Sequence, residues 1–420
     1  MRMSMRNLWA IALLSCVTVA NAQTVLIRGA TVHTVTEQGV LNNADVLIRD
    51  GKIAAVGTGL SAPGDATTID AKGRALTPGL FGGLSAIGVE EVSLEPTTAD
   101  AGVILNAPAF EMQWRPEFDV TAAFNPRSVL VPVARVEGLT WTVLAPASAE
   151  GGTMLAGQGA AVTLDGRYDA VLNGSRSLFI NLGGNANALS AGSRAGQWML
   201  LDQAIRETRS PNASDEHVLL HPAGREALAK YLSGGRVVFG VARAAEIRRA
   251  MAFAKRYGMK PVIAGGAEAW VVADELAREK VPVLLDALEN LPYSFDGIGA
   301  RLDNAALLHR AGVRIAFTQF NESHNARKVR QLAGNAVAHG LTKDAALAAL
   351  TAQPAEIFGL SGERGRIARG QVADLVLWSG DPLEVTSAAD QVWLGGRSVE
   401  MRSRQIELRE RYLPRLQRLE

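Results

Sequence analysis

Arg236-Val237-Val238-Phe239-Gly240-Val241-Ala242 is an apolar run of strand length, and residues 244–257 after it read as a helix. The pattern then repeats. Residues 260–264 read as a strand and 268–279 as a helix, then 281–285 and 303–310, then 313–318 and 326–338, with a second helix at 343–350 closing the series. Strands this apolar, alternating with helices, indicate a parallel sheet covered on both faces.

The two ends of the chain read differently. Val25-Leu26-Ile27-Arg28-Gly29-Ala30-Thr31-Val32 is strand-like, and residues 44–57 form a predicted hairpin around Asp50-Gly51, a pair suited to a two-residue turn with positive φ. The β signal returns at 373–378 and 391–396. One sheet domain assembled from both termini follows from this. Between them, residues 87–200 are less regular. Residues 129–136 and 140–144 look like strands, while Gly151-Gly152 and Gly183-Gly184-Asn185-Ala186-Asn187 signal loops. The tail from Met401, rich in Arg, reads as an exposed helix with a solvated face.

With 420 residues the chain exceeds one small core, and a barrel of about 250 residues with a smaller partner fits that length. Forty-three basic residues against 42 acidic ones leave a net charge of +1, with no electrostatic footprint for nucleic acid or an anionic membrane. Arg2 and Arg6, the apolar run 8–19 and Ala20-Asn21-Ala22 form a signal-peptide pattern with cleavage before Gln23. Lipoprotein processing at Cys16 is the alternative, and the expected compartment is the periplasm or the exterior. Cys16 is the single cysteine, so a chain cut after Ala22 has no disulfide, no thiol nucleophile and no thiolate metal site. No transmembrane helix is expected.

Leu76-Thr77-Pro78-Gly79-Leu80-Phe81-Gly82-Gly83-Leu84-Ser85-Ala86 resembles the first barrel strand of the amidohydrolase superfamily, which typically reads T-P-G, two aliphatic residues, then D-x-H-x-H. Three other segments resemble the imidazolonepropionase-like branch of that superfamily. They are the hairpin ending Asp50-Gly51-Lys52-Ile53, residues 351–360, and residues 365–376, which follow G-x-I-x-x-G-x-x-A-D-L-V. The resemblance implies a (β/α)8 TIM-like barrel with a small β-sandwich domain formed from both chain ends. The expected boundaries are a signal peptide 1–22, sandwich 23–77, barrel 78–360, sandwich 361–400 and a tail helix 401–420. It also implies hydrolysis of C–N bonds in cyclic amides, imides or dipeptide-like compounds, and one or two divalent metals such as zinc.

The functional residues of that resemblance do not carry over. Leu84 and Ala86 fill the two histidine slots; no histidine stands near Ile263-Ala264-Gly265-Gly266 or Val283-Leu284-Leu285-Asp286; Gln319 follows Thr318 where an aspartate is usual; and residues 236–242 contain no lysine. A bound metal lowers the pKa of water from about 15.7 to about 7, on the order of 12 kcal/mol. No side chain left in those slots supplies that. No cofactor or metal is therefore expected. Nor is there a G-x-S-x-G elbow or a phosphate loop, and Ser85 reads as structural.

The histidines have ordinary readings. His217 and His221 have i, i+4 spacing, but Pro222 reads as a first helical residue with His221 just outside, so the rings diverge. His309 and His339 sit at helix C-termini, and His33 lies in the sheet domain, far from the barrel. His324 is the one expected near the barrel mouth. With it, Glu90, Arg135, Arg243, Glu268 and Gln319 lie at or near strand ends and make the predicted polar pocket. Three functions stay open. The chain is a degenerate member binding a small molecule or partner without metal-hydroxide hydrolysis; or a working hydrolase with an unusual site using Glu268 or His324; or a structural subunit that pairs with an active paralogue or with itself.

Overall fold

The described residues open on antiparallel strands, two of them joined by a tight hairpin turn. β1 (Val25–His33), β2 (Val40–Arg49) and β3 (Lys52–Gly57) pair antiparallel, and β4 (Thr67–Asp70) and β5 (Ala75–Pro78) run parallel to β1. Asp50 and Gly51 both take positive φ, 52° and 75°, as the two-residue turn requires. The structure is a computed structural model that describes residues 24–103, 114–146, 153–184, 192–210, 218–289, 294–320 and 323–416. The signal peptide with Cys16, the Gly151-Gly152 and Asn185-Ala186-Asn187 segments and His217 lie outside the described residues.

The α/β part follows Thr77-Pro78-Gly79. It contains β6 (Leu80–Ser85), α1 (Leu130–Arg135), β7 (Leu139–Leu144), β8 (Leu155–Gly159), β9 (Ala161–Thr163), β10 (Ser177–Asn181), α2 (Arg194–Arg209) and α3 (Pro222–Ala229). The predicted rhythm comes next: β11 (Arg236–Val241), α4 (Ala244–Tyr257), β12 (Lys260–Gly265), α5 (Ala273–Arg278), β13 (Val283–Leu285), α6 (Asn304–Arg310), β14 (Ile315–Phe317), α7 (Val329–Ala338), α8 (Lys343–Leu350) and α9 (Ala352–Ile357). β10 to β14 are parallel neighbours, and β8 pairs antiparallel to β10, giving a six-stranded sheet. β6, β7 and β9 make a three-stranded one.

Among the described residues these ladders do not join into one ring, so the backbone hydrogen bonds show a mixed α/β arrangement and not yet a closed (β/α)8 barrel. Side chains tie the edge strands instead. Leu84 N–H donates to Thr318 Oγ1 at 2.8 Å, and Ala86 N–H donates to Ser323 Oγ at 2.8 Å. Alternate strand residues sort into two cores. Phe81, Trp141, Val143, Phe179, Val238, Val262, Leu284 and Ala316 gather with Phe358 in one cluster, and Leu84 packs against it. Their sequence neighbours Leu178, Val237, Ile263, Val283 and Ile315 face the helices. That two-sided burial is why the strands read as continuous apolar runs.

The predicted strand at 129–136 is a helix. Leu130, Val131, Val133 and Ala134 of α1 are buried, and Pro132 stands in its first turn, where a missing N–H costs no hydrogen bond. β-branched residues had imitated a strand there.

The chain then returns to the first sheet with β15 (Leu375–Trp378), β16 (Ala389–Leu394) and β17 (Arg397–Ser398), and the last described element is α10 (Arg404–Leu416). The order β17-β16-β15-β5-β1-β2-β3, with β4 beside β1, is a single eight-stranded sheet. Segments from both halves of the chain build it, and its strand order shows one continuous sheet without showing the two layers of a sandwich. Arg364 and Asp374, each almost wholly buried, pair at 2.7 Å, and Asp374 Oδ1 also accepts Gly395 N–H at 2.8 Å. The aspartate of the A-D-L-V segment thus fastens the returning strands. No described helix is long and apolar enough to cross a membrane.

Candidate functional site

The inward register, carried past the strand ends, identifies which side chains surround the C-terminal ends of the parallel strands. Side chains two apart share a face. Asn181, Asp286 and Thr318 therefore continue the faces of Phe179, Leu284 and Ala316. Asn181 Nδ2 donates to the Thr153 carbonyl at 3.0 Å, and Thr318 holds Leu84. Asp286 is the ionisable member of the three.

Asp286 is 7% exposed and accepts Leu288 N–H at 2.9 Å. Burial pushes its carboxyl above the ordinary aspartate value despite that bond. The chain turns back at once, with Glu289 N–H on the Asp286 carbonyl at 3.3 Å. Burial, and then the charge of Asp286, raise Glu289 to about 7. Two carboxyl groups with raised proton affinity at a strand end mark a functional-site candidate on physical grounds. The sequence reading passed over both; the signal for Asp286 was the period-2 register beyond residues 281–285, and Glu289 lies off that register.

A second polar group gathers past the ends of β10 and β11. Arg194, near the start of α2, donates to Glu246 Oε1 at 2.5 Å and to Asp296 Oδ1. Asp296 Oδ2 accepts Gly184 N–H at 2.6 Å, and Gln197 exchanges hydrogen bonds with both backbone groups of Gly183 at 3.0 and 2.8 Å. The bond to Glu246 above all raises the Arg194 guanidinium pKa, while burial acts against it.

The expected pocket residues divide among several places. Arg243 joins the Arg194 group, its Nε 3.9 Å from Asp296 Oδ1 and its N–H on Glu246 Oε2 at 3.3 Å. Glu268 Oε2 accepts Ala244 N–H at 2.9 Å, satisfying a free donor at the head of α4. Glu90 meets Ser323 Oγ at 3.5 Å, and His324 is exposed beside it in the 3-10 turn Ser323–Lys328. Gln319 is half-buried just past β14. Arg135 is a correction. It ends α1, ahead of β7, where its Nε donates to the Leu164 carbonyl and burial lowers its pKa, so it sits at the opposite end of β7 from the strand's C-terminus.

Other assignments fall as follows. Ser85 Oγ lies 2.8 Å from Thr142 Oγ1, both buried. Pro222 opens α3 with extended His221 before it, and His339 ends α7 with its Nδ1 2.8 Å from the Asn335 carbonyl. His33 is a second correction: it does not stand apart from the α/β part, because its ring shares a pocket with Lys343, Asp344 and Leu347 of α8. Among the described residues, no three His, Cys, Asp or Glu side chains converge as a metal site would need.

Residues 324–400 match the Amidohydrolase family. A stretch of 115 residues is 32% identical to amidohydrolase tasK of Hapsidospora irregularis; it covers 27% of this chain, and the chain spans only 12% of that protein's length. The crystal structure of an amidohydrolase from Thermotoga maritima MSB8 superposes over 90% of this chain and 100% of its own, with TM-score 0.80 and 25% identity. A triazine hydrolase from Arthobacter aurescens, modified for expression in E. coli, shares the fold at TM-score 0.52 and 16% identity, over 94% of this chain and 99% of its own.

Proposed function

We propose that this chain, whose family match and structural neighbours support the amidohydrolase superfamily, is an exported, imidazolonepropionase-like pseudoenzyme that binds a small molecule at the strand ends and has lost the metal centre. In this reading the two sheets of the α/β part act as one barrel, tied by Thr318 and Ser323. The observation that carries the reading is Leu84. It occupies a slot where the superfamily holds a metal-binding histidine, and its side chain packs on the interior apolar cluster beneath it. Neither Leu84 nor Ala86 has a lone pair to give, and Ala264, Thr318 and Gln319 add no imidazole or carboxylate. Among the described residues, no three His, Cys, Asp or Glu side chains come together to hold a divalent ion in place of those slots. Metal analysis of the purified protein, with a panel of C–N substrates assayed with and without added zinc, tests this. The expected result is no stoichiometric metal and saturable binding without turnover. One tightly held metal per chain, with activity lost in chelator, would sink it.

One observation favours a second reading, in which C–N hydrolysis survives without metal. Glu289, held near neutrality with Asp286 beside it, is poised to give or take a proton at pH 7. Turnover that resists chelator and disappears in both Asp286→Asn and Glu289→Gln would establish it over the first. Co-purification with an active homologue would favour a role as a pairing subunit.

A further inference from the structure

A pocket of about 420 Å³ lies away from the strand ends, in the seam where β1 and the turn before β5 meet α8 and the loop after β15. That size is typical of small-molecule sites, at roughly 300–1,000 Å³. Ala75, Leu347, Pro382 and Leu383 supply apolar lining. Two ion pairs engage part of the rim. Lys343 Nζ meets Asp381 Oδ2 at 2.6 Å, and Arg74 Nη1 meets Asp390 Oδ2 at 2.6 Å.

Lys72 differs from those two cations. Among the described residues no carboxylate lies within ion-pairing distance of its ammonium. Its backbone is fixed all the same, in the left-handed region at φ 52° with its N–H on Asp70 Oδ1 at 2.9 Å. His33 lines the same space, and burial above all lowers its pKa, with the charges of Asp381 and Asp344 acting against it. Arg74 and Lys343 are each met by a carboxylate, Asp390 and Asp381, which leaves Lys72 as the cation beside the apolar floor that no described carboxylate pairs.

We propose that this seam pocket binds a small organic carboxylate, with its anionic end on Lys72 and its apolar body against Ala75, Leu347 and Leu383. The proposal is independent of what happens at the strand ends.

Benzoate is a suitable probe, with benzyl alcohol as its uncharged counterpart. Both are titrated into the full-length protein while the His33 ring is followed by NMR, its resonances assigned by their loss in His33→Asn. Benzoate should shift them saturably, with benzyl alcohol about tenfold weaker. Lys72→Gln, an exposed change that leaves the fold in place, should weaken benzoate by about the same factor. Leu347→Trp should fill the floor and abolish the response. Benzoate that leaves His33 unmoved, benzyl alcohol that binds equally well, or an unchanged affinity in Lys72→Gln would each overturn the proposal.

Discussion

Thr318 Oγ1 accepts the Leu84 N–H at 2.8 Å, so one hydroxyl joins the last strand of the six-stranded sheet to the first strand of the three-stranded one. The contact is tight on its other side as well. Gly83 has φ +79°, and a Cβ there would stand 2.7 Å from Thr318 Oγ1. Thr318→Val keeps the shape and removes the acceptor, leaving the Leu84 N–H without this partner. Chemical denaturation should show a loss of about 1–3 kcal/mol, with Thr318→Ser close to wild type. Equal stability of the valine and serine variants would mean that water satisfies the amide and the two edges are held by packing alone.

Asp374 gives the second prediction. It neutralises buried Arg364 and holds the Gly395 N–H, so it binds the segment after α9 to the β16–β17 turn. Asp374→Asn strands a guanidinium that is 5% exposed and should cost about 3–5 kcal/mol. Replacing both partners, as Arg364→Met with Asp374→Leu, removes the stranded charge and should recover part of that loss in the same denaturation experiment. A double variant no more stable than Asp374→Asn would mean that the stranded guanidinium is not what costs the stability.

Glu289 makes stability depend on pH in an unusual direction. Its carboxyl titrates at about 7 in the folded chain, above the ordinary 4.5, so the folded state holds a proton that the unfolded state has released. The stability this supplies is fully present below about 4.5 and is lost as pH rises through about 7. Allowing for its partial exposure, the decline should amount to about 1–3 kcal/mol. Glu289→Gln should flatten the curve over that window. Asp286→Asn should shrink the decline, because a neighbouring charge is removed and the raised aspartate goes with it. A wild-type curve that rises across the same window would exclude the buried, protonated Glu289.

What the sequence made legible follows from the range of each interaction. The run from β11 to β14 was readable because burial on both faces leaves strands apolar throughout, and the Asp50-Gly51 hairpin because its turn demands positive φ at adjacent positions. The histidines at helix boundaries were readable because capping is local. Arg135 was misplaced because Val129, Val131 and Val133 carry β propensity, while the burial that makes α1 a helix is set by distant strands. Asp286 was visible as a residue, but its importance depends on a register that only the assembled sheet defines. Arg194, Glu246 and Asp296 are far apart in sequence, and no local pattern unites them.

That last group supports a prediction that separates electrostatics from packing. Arg194 side-chain exposure is 34%, against 7% for Glu246 and 15% for Asp296, so the carboxylates lose more solvent than the cation that serves them. Arg194→Met leaves both carboxylates without their shared donor and should cost about 1–3 kcal/mol, discounted for the solvent still reaching Arg194. Arg194→Lys keeps the charge but loses the planar fork, and should fall between wild type and Met. Amide hydrogen exchange gives a finer measure. Gly184 N–H relies on Asp296, which Arg194 positions, whereas Gly183 N–H relies on Gln197 of the same helix. In Arg194→Met the Gly184 amide should exchange faster while the Gly183 amide stays protected. Equal acceleration at both glycines would mean that α2 itself has come loose; no change at either would mean that Asp296 holds its place without the guanidinium.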